Sequence, residues 1–204
     1  GDLAPVPQLL LLCERHDALL LLDDAHGFGV LGAQGAGILA HFGVASRRIV
    51  YMGTLGKAAG VYGAFVAADT ALIELLINRA RSYIYTTAPP PLLAVALMES
   101  LAIVAAESWR REHLARLIEM LRAARDSLPG ALLPSTTPIQ PLVLGTVEAA
   151  KRAMHALLDR GLIVPAVRPP TVPRGTARLR ISLSAAHSVA DVERLLGALC
   201  ALSR

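Results

Sequence analysis

The sequence has few aromatics, little charge and almost no cysteine. Aromatic residues make up 4% of its 204 positions, with a single Trp. Charged residues reach 18% against 54% apolar ones, a balance that excludes a disordered chain. No uninterrupted apolar run reaches the roughly 18 residues that a membrane-spanning helix requires. Residues 92–106 come nearest, and Glu99 interrupts them. No basic segment followed by an apolar one opens the chain, so no signal peptide is read. The net charge is +4, but no Lys/Arg block interleaves with aromatics, so no nucleic-acid partner is expected. The two cysteines, Cys13 and Cys200, lie in helix-like apolar runs. They read as reduced core thiols, with a cytoplasmic location as the default.

What is abundant is leucine and alanine, which suit helices packed on a sheet. The length allows one large domain or one and a half ordinary ones. The pattern predicts a helix over 5–16, with proline near its start. A short apolar run over 18–22, ending at Asp23, predicts a buried strand. Residues 26–37 are glycine-rich and read as a loop. Strands are expected over 48–52 and 63–68, and a helix over 70–82 capped by Asp69 or Thr70. Ala88-Pro89-Pro90-Pro91 is a hard break. Two long helices follow over 92–107 and 110–128, the second stopped by Pro129-Gly130. The tail then alternates: strand 139–144, helix 147–160, strand 162–167, proline loop 169–173, strand 177–183, helix 189–202. The front is α/β and the tail a small α+β domain. The boundary falls near Ser108, giving domains 1–107 and 108–204.

The chemistry centres on Lys57, within Gly53-Thr54-Leu55-Gly56-Lys57-Ala58-Ala59-Gly60. A lysine among small residues just past an apolar strand is a poor surface lysine. Asp23 and His26 end the preceding strand. An amine, a carboxylate and an imidazole at successive strand ends are what a pyridoxal-phosphate site needs. The amine forms a Schiff base, the carboxylate keeps the pyridine nitrogen protonated, and the imidazole donates to the ring oxygen. Thr54 and nearby backbone N–H groups can meet a phosphate. Singly, each has a plainer reading: Asp23 as a turn cap, His26 as a loop histidine, Lys57 as a strand-end lysine. A metal reading of Asp23, Asp24 and His26 lacks a further ligand.

Gly27-Phe28-Gly29-Val30-Leu31-Gly32 fits the dinucleotide-binding spacing. No helix opens at its third glycine, however, and no acidic residue ends the next strand, so a nicotinamide site is not expected. Arg178 and Arg180 alternate with Leu179 and Ile181, which puts both on one strand face. That face suits an anion such as a substrate carboxylate, or simply solvent. Arg168-Pro169-Pro170-Thr171-Val172-Pro173 is a stiff loop that can place Thr171 closely.

These motifs, with Tyr85-Thr86-Thr87-Ala88-Pro89-Pro90 and the run from Arg174 to Arg180, resemble the α-oxoamine synthases. These are pyridoxal-phosphate enzymes of the aspartate-aminotransferase fold (fold type I), and the resemblance runs over nearly all of the chain. The stretch from Arg168 to Arg180 is most similar to the biotin-pathway branch. It is less similar to glycine C-acetyltransferase and 5-aminolevulinate synthase.

The resemblance implies that Lys57 binds pyridoxal 5'-phosphate, Asp23 pairs with the pyridine nitrogen and His26 bonds the ring oxygen. It implies that Thr54 contacts the phosphate, and that Thr86 reaches the phosphate of the partner subunit's cofactor in a homodimer. Thr171 would line the substrate site, and Arg180 would hold the amino-acid carboxylate with Arg168 nearby. The implied reaction is the decarboxylative condensation of L-alanine with a pimeloyl thioester of coenzyme A or acyl carrier protein. Lys57 would be the general base.

The resemblance also places Gly1 inside the family's large domain. The chain is therefore expected to be the C-terminal half of such an enzyme: the end of the large cofactor-binding domain, then a small domain with its connecting helix. The other half would supply the ring stacked on the pyridine and most of the phosphate-binding turn. An exposed apolar face and an unpaired sheet edge are expected to follow. The chain is then either an acyltransferase or an inactive fragment.

Overall fold

A computed structural model describes residues 1–203. The chain divides into two compact units. One runs from Ala4 to Ser108; the other joins Gly1–Leu3 to the chain from Trp109 onward.

The first unit is a three-stranded sheet with helices. Helix α1 (Val6–Arg15) starts at a proline-rich turn and leads into β1 (Leu20–Asp23). A glycine-rich loop and a short helix, α2 (Ile38–Phe42), connect β1 to β2 (Ile49–Thr54). A hairpin then gives β3 (Ala64–Ala67). The sheet order is β1-β2-β3, with β1 parallel and β3 antiparallel to β2. In register, Asp23 stands beside Met52 and Thr54 opposite Ala64. Val6 and Leu10 of α1, Ile38 of α2, and Leu20, Leu22, Ile49 and Tyr51 of the sheet form one apolar cluster.

Burial of β1 is one-sided. Leu20 and Leu22 are buried, whereas Leu21 is 71% exposed. The continuous apolar run predicts cover on both faces, but among the described residues only one face is packed.

The expected helix over 70–82 is two pieces, α3 (Thr70–Arg79) and α4 (Arg81–Ile84), broken where Ala80 is extended. Of the two expected caps, the Asp69 side chain supplies it, accepting the Ala71 N–H at 3.1 Å. Helix α5 (Pro91–Ala106) begins on a proline, whose missing N–H costs nothing in a first turn. It is apolar on all sides yet has no buried residue, and Leu92 and Met98 are 75% and 73% exposed. A helix apolar all round is built to be surrounded.

The second unit opens with α6 (Ser108–Ala123), which ends before the expected 128 and gives way to a single 3-10 turn. Strands β4 (Ala131–Leu132), β5 (Ile139–Gly145), β6 (Ala166–Val167) and β7 (Ala177–Ser182) form an antiparallel sheet of order β4-β5-β7-β6. Helix α7 (Val147–Leu158) packs on the sheet, and α8 (Val189–Cys200) completes the unit. Leu117, Leu121, Leu142, Leu157, Leu179 and Leu199 are fully buried.

The strand expected over 162–167 shrinks to β6. Pro165 has no N–H for a ladder, and its carbonyl instead accepts the Arg180 N–H at 2.9 Å. Two short elements, α2 and β4, lie outside the sequence expectation.

Side chains cap α3, α7 and α8, the fullest cap at α8. There Ser188 and Asp191 bond each other's backbone N–H in a capping box. The Asp191 carboxyl is held below the usual range, chiefly by the Ser188 N–H and then by its hydroxyl. Its folded pKa is lowered, so its contribution is complete above about pH 4 and fades as pH falls below that. Asp191→Asn should therefore flatten the acid end of the stability profile, read by urea unfolding between about pH 2 and pH 5. In the core, Leu179→Ala should cost about 2–5 kcal/mol in the same assay.

Candidate active site

The C-terminal ends of β1 and β2 carry the reactive groups of the first unit. Asp23 ends β1, and its Oδ1 accepts the Ala25 N–H at 3.0 Å. This turn fixes the carboxylate at the strand end while using one of its two oxygens. It is also the plain capping role open to Asp23 from sequence. Beyond β2, the Leu55 N–H bonds the Gly63 carbonyl and the Gly60 N–H bonds that of Lys57, so Lys57 opens a tight turn. Its Nζ donates to Thr54 Oγ1 at 3.1 Å, and that hydroxyl lies 3.4 Å from the Ala25 carbonyl. Lysine, threonine and the residues after Asp23 are thus linked through one hydroxyl.

Asp23, His26 and Lys57 are exposed in this structure. The sequence predicts the opposite for the lysine; the small residues around it leave it uncovered instead of enclosing it. Ser100 of α5 steadies the turn, donating to the Ala59 carbonyl at 2.6 Å. Thr86 lies just after α4, where its hydroxyl donates to the Ser82 carbonyl at 2.7 Å.

The buried acid is the neighbour, Asp24, at 5% exposure. Its Oδ2 accepts two hydrogen bonds, from the Ile38 N–H and the Tyr51 hydroxyl, each at 2.7 Å. Burial first, then the bond and charge of Asp24, push the Tyr51 phenol well above its usual range. The glycines of the loop follow from this. A Cβ on Gly27 would strike Asp24 Oδ1, and one on Gly37 would strike both Asp24 Oδ2 and the Tyr51 hydroxyl. Gly37 also has φ +93. Of the three glycines with dinucleotide-like spacing, Gly27 thus lies against the carboxylate, whereas Gly29 packs on Ala58 and Gly32 on Ala40. Sequence reasoning weighed Asp24 only as a metal ligand. The signal for its structural role was an acid followed by a glycine-rich loop, Gly27 to Gly37.

In the second unit, Arg178 and Arg180 share the face of β7 opposite buried Leu179 and Ile181, as period two predicts. Their bonding differs. Arg178 Nε and Nη2 donate to the carbonyl and hydroxyl of Thr176, at 2.9 and 3.0 Å. Arg180 Nε is buried and has no partner. Arg168 and Thr171 are exposed on the loop between β6 and β7, where the Thr171 N–H bonds the Arg168 carbonyl at 3.1 Å.

A mixed sheet sets an amine, a hydroxyl and a carboxylate at adjoining strand ends, groups of the kind a pyridoxal-phosphate site requires. The chain belongs to the aminotransferase class I and II family, whose model matches residues 1–199. Within it, the chain is 60% identical to the 8-amino-7-oxononanoate synthase of Nitrosospira multiformis, over all of this chain and 52% of that one. It is likewise 60% identical to 8-amino-7-oxononanoate synthase 1 of Polaromonas sp. strain JS666, again over all of this chain and 52% of the other.

Among solved structures, SPT with PLP internal aldimine superposes with TM-score 0.92 at 30% identity, covering all of this chain and 52% of that one. The 8-amino-7-oxononanoate synthase of Francisella tularensis superposes with TM-score 0.83 at 31% identity, covering 95% and 57%. The chain thus has the fold of the pyridoxal-phosphate transferases, and it spans about half the length of the curated relatives it matches.

Asp24→Ala should leave the Ile38 N–H and Tyr51 hydroxyl without an acceptor and lower stability by about 3 kcal/mol. Tyr51→Phe should cost about 1–2 kcal/mol. It should also remove the loss of stability expected as pH rises through about 10, where only the unfolded phenol ionises. Urea midpoints of the three proteins at pH 7 and pH 10.5 test both (roughly half a unit above the ordinary phenol value).

Proposed function

We propose that this chain carries the lysine and substrate-side arginines of an 8-amino-7-oxononanoate synthase, a pyridoxal-phosphate-dependent acyltransferase of biotin biosynthesis. The substrates would be L-alanine and a pimeloyl thioester of coenzyme A or acyl carrier protein. The observation that carries this reading is the Lys57–Thr54 pair, its Nζ–Oγ1 distance 3.1 Å, beside the strand end that bears Asp23. The 60% identity to two synthases of that name supports the choice of branch over the SPT likeness at 30%.

The donor set fits pyridoxal phosphate: an exposed amine, a carboxylate fixed by its own turn, and a hydroxyl within reach of the amine. When bound, the cofactor supplies an electron sink for charge developing at the amino-acid α-carbon. Lys57 would hold it through Nζ and, when displaced, take the α-proton of alanine as general base. Asp23 would keep the proton on the pyridine nitrogen by charge pairing. His26 would donate to the ring oxygen and Thr54 to the phosphate. Arg180, whose Nε is buried without an acceptor, would grip the alanine carboxylate, with Arg168 and Thr171 beside the substrate. Thr86 would serve the partner subunit's cofactor in a homodimer. Free thiols at Cys13 and Cys200 accord with a cytoplasmic location.

The exposure of Asp23, His26 and Lys57 favours a second reading: the set holds cofactor only when another polypeptide segment covers it. Borohydride reduction of the chain mixed with pyridoxal phosphate, followed by peptide mass mapping, separates the two. The first reading expects one label at Lys57, lost in Lys57→Ala. Scattered labelling of surface amines supports the second.

A further inference from the structure

Residues 168–176 form the loop between β6 and β7, and both of its ends meet at one residue. Arg178 pairs with Val167 in the ladder, at the point where the chain leaves β6. Its side chain reaches back to Thr176, at the point where the chain returns. Nε takes the Thr176 carbonyl at 2.9 Å and Nη2 its hydroxyl at 3.0 Å. The hydroxyl passes the bond on, donating to the Pro173 carbonyl at 2.8 Å, which also accepts the Thr176 N–H at 3.2 Å. Donors and acceptors run one way, from guanidinium to hydroxyl to carbonyl, so each bond polarises the next. A planar fork is needed for the first step; a lysine offers a single point of attachment.

We infer that Arg178 is a positioning residue. It closes the neck of the 168–176 loop and so sets where Thr171 and Arg168 stand toward the acyl substrate. Arg180, two residues along the same face, is left with its Nε for an anion. The two arginines of one alternating strand thereby divide into a brace and a ligand-binding group. The role rests on the substrate reading proposed above for Thr171 and Arg168.

Trypsin reports the state of the loop. Arg174 is exposed and followed by Gly175, whereas Arg168 is shielded by the proline after it. The full chain, mixed with pyridoxal phosphate, is digested briefly with and without pimeloyl-CoA. Cutting after Arg174 is followed by mass spectrometry for the native protein, Arg178→Gln, Arg178→Lys and Thr176→Val. Thermal unfolding shows that the variants remain folded.

Arg178→Gln and Thr176→Val should each speed the cut several-fold, and the double variant no more than either alone. Arg178→Lys should not restore the native rate. The pimeloyl-CoA concentration that gives half-protection should rise several-fold in the variants. Cutting at the native rate overturns the brace. Faster cutting with unchanged half-protection overturns the positioning role. Failure of pimeloyl-CoA to protect the native chain overturns the substrate reading instead, so the two failures are distinct.

Discussion

A carboxylate removed from water must be answered by donors, and Asp24 is answered by two at one oxygen. The Ile38 N–H anchors the start of α2, and the Tyr51 hydroxyl anchors the middle of β2. The glycine-rich loop passes between them, close enough that Gly27 and Gly37 have no space for a side chain. The strand end that presents Asp23, the loop that presents His26 and the strand leading to Lys57 are all set by this one buried group. Asp23, His26 and Lys57, proposed to meet the cofactor, are exposed, and the acid that holds the loop is enclosed. Such a division is expected where a reactive surface has to be held by a rigid base.

The second unit solves the same problem with different means. Its residues sit on a short antiparallel sheet whose inner face is leucine and isoleucine and whose outer face carries arginine. Here rigidity comes from side chains spent on their own backbone: Arg178 on Thr176, and Arg122 and Gln140 on the Ser135 carbonyl. Two buried polar atoms of the sheet are left over, Gln140 Oε1 and Arg180 Nε, and of these only Arg180 Nε is a donor. A buried donor without an acceptor is costly in a resting protein and useful in one that meets an anion.

Much of this was legible in the order of residues. The alternation Arg178-Leu179-Arg180-Ile181 placed both arginines on one face, and the register bears it out. The spacing of Thr54 and Lys57 matched a turn after a strand. What could not be read was which of two adjacent acids is buried, because Asp23 and Asp24 differ only in the phase of a four-residue strand. Asp24 lies just past the end of β1, and the phase depends on where α1 lands. Nor could alternation distinguish a braced arginine from an available one; that depends on a threonine two residues away. The apolar run before Asp23 promised cover on two faces and received it on one, since a sequence records what a face requires and not which segment provides it.

The second unit is not continuous in the chain. Its first residues come 134 positions before Ser135, whose hydroxyl donates to the Gly1 carbonyl at 2.7 Å. Thr137 and the buried Gln140 extend the same polar cluster. On a ribosome, Gly1 is made well before the residues that hold it, and the whole first unit can form while it waits. Closing so long a loop is entropically costly and comes late. Gly1–Leu3, made before the first unit, are therefore among the last of these residues to reach their native places.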